Sequence, residues 1–186
     1  MRSSNLTNQF LIAMPGLADP NFSHTVTYVC AHNEDGAMGI VINRPLDLEL
    51  GEVLRQMELE SGSEAVQAMP VYHGGPVQTD RGFILHHSAT EWQSSIRISD
   101  DIGIATSRDI LQAIAAGTGP RETLVALGYA GWGAGQLEDE IMENAWLSGP
   151  ADLDIIFNTP CQKRWSAAAA LLGVELDKLT HHIGHA

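Results

Sequence analysis

The chain has 186 residues, 44% of them apolar, with 23 acidic against 10 basic side chains and a formal net charge of −13. That length fits one domain spanning 1–186, able to bury roughly 70% of its unfolded surface. A uniformly acidic surface repels phosphate backbones and anionic bilayers, so direct nucleic-acid binding and membrane-surface binding are both disfavoured.

The N-terminal stretch MRSSNLTNQFLIAMPGLADP carries one arginine and a short apolar run, FLIAM, broken by Pro15 and Gly16. The run is too short for a signal-peptide core and predicts a buried strand over 9–15. HTVTYVCAH (24–32) is β-branched and aromatic, which predicts a second strand. NEDG (33–36) then forms a turn, with Gly36 free to take positive φ. AMGIVIN (37–43) returns as the other half of a hairpin, closed by Arg44-Pro45. Leu50, Val53, Leu54 and Met57 fall at i, i+3, i+4, i+7, so 49–58 is an amphipathic helix.

Residues 59–69 are polar and ambiguous. PVYHGGPV (70–77) is a short strand broken by Gly74-Gly75-Pro76, and GFILHH (82–87) a further strand. SATEWQSS (88–95) is a loop, followed by short strands at IRI and GIAT. The helix predicted over 107–116 carries Ile110, Leu111, Ile114 and Ala115 on one face, and Gly117 ends it. ETLVALGYA (122–130) is an apolar strand covered on both faces. A helix over 135–145 follows, then DLDIIF (152–157) as a buried strand. Thr159-Pro160-Cys161-Gln162 is a capping box with proline at the first helical position. The helix it opens buries Trp165, Ala168, Ala169 and Leu172. Local hairpins followed by alternating helices imply an α/β (α+β) fold, a mixed, partly barrel-like β-sheet with packed helices. The longest later apolar run, AAAALLGV (167–174), is far below the ~20 residues of a membrane span. Two cysteines, Cys30 and Cys161, make no disulfide framework, and a reduced, soluble, cytoplasmic protein is the simplest reading.

The stretch ALGYAGWGAGQLEDEI (126–141) sets four glycines around Trp132. A dinucleotide loop needs G-x-G-x-x-G, and here Gly135 falls one place early with Gln136 in the required position. Phosphate binds a helix N-terminus because the N–H groups and the dipole are positive there. This helix opens with Glu138, Asp139 and Glu140, whose carboxylates already occupy that field. The glycines are therefore read as a tight turn that folds Trp132 back on the sheet.

GYAGWGAGQLEDEI, NAWL and DLDIIFNTP resemble motifs of the AlgH/YqgE family of bacterial proteins. FLIAMPGLADPNF, CAHNEDGAMGIVINRP, HGGPVQTDRGFILH, SSIRISDDIGIATSRDIL and the terminal GHA resemble its other motifs. They occur in the family's order over nearly the whole chain. The resemblance implies a compact α/β fold on a mixed sheet. It brings no catalytic residues and no settled activity; the family's name links one branch to regulation of alginate synthesis, from which transcriptional regulation has been inferred.

Eight histidines raise the question of a metal. His86 and His87, adjacent in a strand, point to opposite faces. His181, His182 and His185 lie in a polar tail, and no zinc spacing exists, so no metal and no cofactor is expected. Cys30 and His32, two apart in a strand, share a face and raise a thiolate–imidazole pair against a bland packed surface. Asp139, Glu140 and Glu143 read as a solvated helix face.

Eight of the ten bases are arginine. Arg44, in Asn43-Arg44-Pro45, and Arg81, shortly after His73-Gly74-Gly75-Pro76, are held by Gly/Pro backbone. Such cations anchor a carboxylate or phosphate, or else form internal salt bridges. Asn43, Arg44, His73, Gly74, Gly75, Arg81 and Trp132 are the candidate ligand-binding residues. The bent segments 43–45, 73–77, 80–82 and 128–135 are expected to converge near one sheet edge. Two function classes follow. One is a non-catalytic binding or regulatory protein with a protein partner or small anionic ligand. The other is a hydrolase or thiol enzyme using Cys30/His32 or a His73/Arg81 pocket.

Overall fold

The computed structural model describes residues 5–87 and 90–183, with side chains up to residue 179. Its elements in order are β1 (Gln9–Ala13), β2 (Val26–Asn33), β3 (Gly36–Val41), β4 (Pro45–Glu49), α1 (Leu50–Gln56) and α2 (Glu64–Gln67). Then follow β5 (Pro70–His73), β6 (Val77–His87), β7 (Ser95–Arg97), β8 (Ile102–Ala105), α3 (Arg108–Ala116) and β9 (Thr123–Gly133). The chain closes with α4 (Gln136–Met142), β10 (Trp146–Pro150), α5 (Leu153–Phe157), α6 (Cys161–Ala170) and α7 (Leu176–Ile183). The tail histidines 181, 182 and 185 lie outside the described side chains.

The strands form one curled, half-barrel sheet in the order β10-β1-β2-β3-β9-β6-β8-β7. Its neighbours are antiparallel except for β5, which pairs with β9 in parallel and carries β4 on its other side. β9 is the hub. One edge pairs with β6, and the other pairs with β5 and then β3. A strand with so many partners must be apolar on both faces, as the run LVALGYA is.

Alternation along β9 sends Leu124 and Ala126 into one core and Val125 and Leu127 into another. The first core packs Phe10, Tyr28, Ile40 and Leu85 under α5 and α6. The second packs Val71, Ile84 and Val125 under α1 and α3. Ile110, Leu111, Ile114 and Ala115 do form the buried face of α3, and Gly117 ends it at φ 79°. A third core gathers Leu6, Leu11, Val29, Ala130, Trp132, Leu137 and Trp146 beneath α4.

Five elements differ from the sequence reading. DLDIIF is helical: the Asp152 carboxylate accepts from the Ile155 amide at 3.1 Å and starts α5, overriding the strand-like Ile-Ile-Phe. An apolar run this short does not distinguish strand from buried helix. The Gly131-Trp132-Gly133 segment is strand, paired with Met38, Ala37 and Gly36, and the turn is confined to the next two residues. α6 has no capping box: Pro160 is its N-cap, and the Thr159 hydroxyl donates to the Asp154 carbonyl instead. Finally, β4 and β10 carry too few apolar residues to read as strands; β10 closes the sheet edge beside β1.

Candidate functional site

The candidate residues separate into three groups. Asn43 and Arg44 hold the 14–25 segment. The Asn43 carboxamide accepts from the Val26 amide and donates to the His24 carbonyl, both at 2.9 Å. The Arg44 guanidinium donates to the Ser23 and Pro20 carbonyls.

Trp132 is the second group. It is 5% exposed and stacks on Phe22 with centroids 6.0 Å apart. Its indole N–H donates to Glu140 Oε1 at 3.1 Å, and the Trp146 indole donates to the same oxygen at 3.0 Å. Glu140 Oε2 accepts from Gln136, whose own Oε1 accepts from the Gly133 amide. The acidic helix is therefore not simply a solvated face: Glu140 is the acceptor that allows two buried indoles.

Cys30 and His32 do not share a face. A β-bulge between Val29 and Ala31 inserts Cys30 and breaks the alternation. Cys30 packs into the first core, where burial pushes its thiol well above the ordinary range. His32 stands opposite Ala37, in the row that continues to Trp132. Its side chain is 1% exposed; Nδ1 accepts from the Leu6 amide at 2.9 Å, so Nε2 carries the proton toward Glu138 at 3.1 Å. Cys30 and His32, on different faces of β2, make no thiolate–imidazole pair. His73 and Gly82 both register with Leu127, but on opposite edges of β9. Two strand spacings, ~10 Å, separate their backbones, so His73 and Arg81 build no common pocket there.

The third group, Gly74, Gly75 and Arg81, flanks β9, and of these Arg81 lines a groove. The Gly74 amide donates to the Leu127 carbonyl and its carbonyl accepts from the Val41 amide, both at 2.8 Å. A Cβ on Gly74 would stand 2.4 Å from the Gly128 carbonyl oxygen, and one on Gly75 2.1 Å from the Tyr129 carbonyl carbon. Backbone this close requires glycine. Opposite them the register of β6 shifts: Val77 faces Tyr129, yet Gly82 faces Leu127. Six residues of β6 thus oppose three of β9, with Gly128 at φ 79° and Gln78 at φ 48°. Bulges re-aim side chains, and this one carries Asp80 and Arg81 out of the ladder. Segment 43–45 meets 73–77 where the His73 amide donates to the Arg44 carbonyl at 2.8 Å, while 73–77 and 80–82 flank β9 from opposite edges; all of this lies in the middle of the sheet and not at its edge, and Trp132 lies apart.

Arg81 lines a groove of about 520 Å³ between α1, β6 and α3. Buried Ile84, Leu111 and Val125, with Leu48, Val53 and Leu127, form its floor. Exposed Asp80, Arg81 and Arg108, with half-buried Thr106, form its rim. The Arg81 guanidinium reaches Gln78 and Thr106 only at 3.3 and 3.4 Å, and lies 5.5 Å from the Phe83 ring centre. Arg108 gives one N–H to the Met57 carbonyl at 2.6 Å. Among the described residues neither arginine is within ion-pair distance of a carboxylate.

The family model described as AlgH-like matches residues 10–177. The chain belongs to the AlgH-like family. It is 63% identical to a UPF0301 protein of Thioalkalivibrio sulfidiphilus, over 99% of this chain and 98% of that one. It is 58% identical to a UPF0301 protein of Hahella chejuensis over 98% and 97%. Its structure is similar to the solution structure of AlgH from Pseudomonas aeruginosa, at TM-score 0.81 and 54% identity over 97% of both chains. A crystal structure from Corynebacterium diphtheriae, at 18% identity and TM-score 0.75 over 96% of this chain and 93% of that one, shares the fold.

In this AlgH-like chain the sequence reading missed Arg108, Thr106 and Arg164. Arg108 had a signal: a cation at the first position of a helix opposes the dipole, so another role was implied. Arg164 had none. It is 5% exposed, lies 5.1 Å from the Tyr72 ring centre and donates to the Ile42 and Thr159 carbonyls, which only the folded α6 brings within reach.

Proposed function

We propose that this AlgH-like chain is a cytoplasmic, non-catalytic binding protein that takes a small ligand into the Arg81 groove. The ligand carries an anionic group for the arginine rim and an apolar body for the floor; any effect on transcription passes indirectly through a protein partner. One observation carries the reading. In a chain with 23 acids and 10 bases, the guanidiniums of Arg81 and Arg108 stand over an apolar groove without a carboxylate partner among the described residues. Cations so outnumbered find internal partners readily, and pockets that combine an apolar floor with few polar groups are where ligands bind.

Gly82 supplies the test. It lines the groove in register with Leu127, and a Cβ there would meet nothing within 4 Å. Gly82→Trp therefore fills the groove without straining the strand. Thermal-shift titration with a panel of small apolar acids is expected to raise the midpoint of the parent and leave Gly82→Trp unmoved. No saturable shift with any acid, or equal shifts in both proteins, would overturn the reading.

A further inference from the structure

The charge around the groove narrows the ligand class, on the reading that the groove binds at all. The side chains lining it include two guanidiniums, Arg81 and Arg108, and one carboxylate, Asp80. Every other lining side chain is neutral. The rim therefore holds one net positive charge, embedded in a protein of net charge −13. We infer that the groove selects a singly charged carboxylate on an aliphatic body, and discriminates against phosphate esters.

The argument rests on charge balance and shape. A carboxylate exactly neutralises the rim, and its two oxygens match the planar fork of a guanidinium. A phosphate monoester brings two negative charges at neutral pH. With Asp80 that sets three negative charges against two guanidiniums, and the excess falls in a protein already at −13. The floor asks for the other half of the ligand. Leu48, Val53, Ile84, Leu111 and Leu127 are branched aliphatic side chains and offer no hydrogen-bond donor or acceptor, so a polar body would be desolvated there without compensation. The volume of about 520 Å³ lies within the range of sites that enclose a small molecule.

The test compares head groups on one tail. Octanoate, octyl phosphate at pH 8, octanol and octylammonium are titrated into the full chain by calorimetry, and octanoate also into Arg81→Gln/Arg108→Gln. Octanoate is expected to bind saturably at one site. Octyl phosphate and octanol are expected to bind at least about tenfold more weakly, the scale of one unbalanced or missing charge at a partly exposed site. The double variant, whose substitutions lie on the exposed rim, is expected to lose octanoate binding by a similar factor while keeping its melting midpoint. Octyl phosphate binding as tightly as octanoate, yet lost in the double variant, would overturn the charge selection and leave the groove reading standing. Saturable binding of none of the four, or octanoate binding unchanged in the double variant, would overturn both.

Discussion

The Trp132 cluster and the Arg81 groove start from similar sequence and end differently. Both involve glycines of β9, both contain aromatic or aliphatic side chains beside charge, and both interrupt regular strand alternation or end it. In the cluster, polar capacity is filled from within: one Glu140 oxygen takes two indole N–H groups, the other takes Gln136, and Gln136 takes the Gly133 amide. In the groove, Arg81 has two long hydrogen bonds and Arg108 one short one, with no carboxylate partner for either among the described residues. Glycine and charge side by side therefore do not distinguish a site from a structural joint. What distinguishes them is whether the charged group's hydrogen-bonding capacity is met by the chain itself.

If that contrast is right, the cluster should be costly to damage. Trp132→Ala is expected to lose roughly 3–5 kcal/mol, as truncation of a buried large aromatic does. In a domain of this size the melting midpoint should fall by roughly 10 °C. A midpoint matching the parent's would move Trp132 from the fold to a surface role. Glu140→Ala comes next. It leaves two indole N–H groups without their acceptor, at a cost of about 2–4 kcal/mol. Because both indoles share one oxygen, Glu140→Ala and Trp146→Phe should be non-additive, with a coupling of about 1 kcal/mol in a denaturation cycle. Strict additivity would show that the shared acceptor is not what holds them.

Much of this fold was legible before the structure. The α3 stripe, the β2–β3 hairpin and the central β9 follow from periodicity, and side-chain period is a local property. Three things were not local. The bulge at Cys30 shifts alternation by one residue, so that Cys30 and His32 part company; no residue type announces it. The helix α5 turns on a single Asp152 cap against a strand-like composition. The groove needs α1, α3 and the β6 bulge brought together across the chain, so sequence found Arg81 through its Gly/Pro setting but not Arg108. The arginine question, ligand anchor or internal salt bridge, turned on geometry alone: Arg44 donates to carbonyls, while Arg81 meets no carboxylate.

A smaller effect is expected at the loop that borders the groove. Asp109 is half-buried in the first turn of α3. Burial acts to raise its pKa, but the Ser107 hydroxyl and the Gln93 and Ile110 amides outweigh that and hold the carboxyl below its ordinary value. A carboxyl whose folded pKa is depressed stabilises above the unfolded pKa and loses that contribution as pH falls through the folded one. Asp109→Asn should thus cost about 0.5–1 kcal/mol near neutral pH. The gap between parent and variant should shrink as pH drops below the ordinary carboxylate range. Melting curves across that range check it, and a gap that widens toward acid would contradict the assignment.

The smallest expected effect is the sharpest contrast with Trp132. Arg81 is exposed, its hydrogen bonds to Gln78 and Thr106 are long, and among the described residues it has no ion pair to lose. Its guanidinium lies 5.5 Å from the Phe83 ring centre, and because that guanidinium is itself exposed the contact contributes about 0.5 kcal/mol, the low end for a cation over a ring. Removing one positive charge from an acidic protein adds a further small penalty through repulsion. Arg81→Gln keeps much of the aliphatic stem and should therefore shift stability by only about 0.5 kcal/mol, the scale of ordinary surface substitutions. Urea denaturation of parent and variant at matched ionic strength resolves a difference of that size through the midpoint. A loss of 2 kcal/mol or more, on the scale of a deleted internal ion pair, would mean that Arg81 serves the fold as Glu140 does, and the distinction between the two regions would disappear.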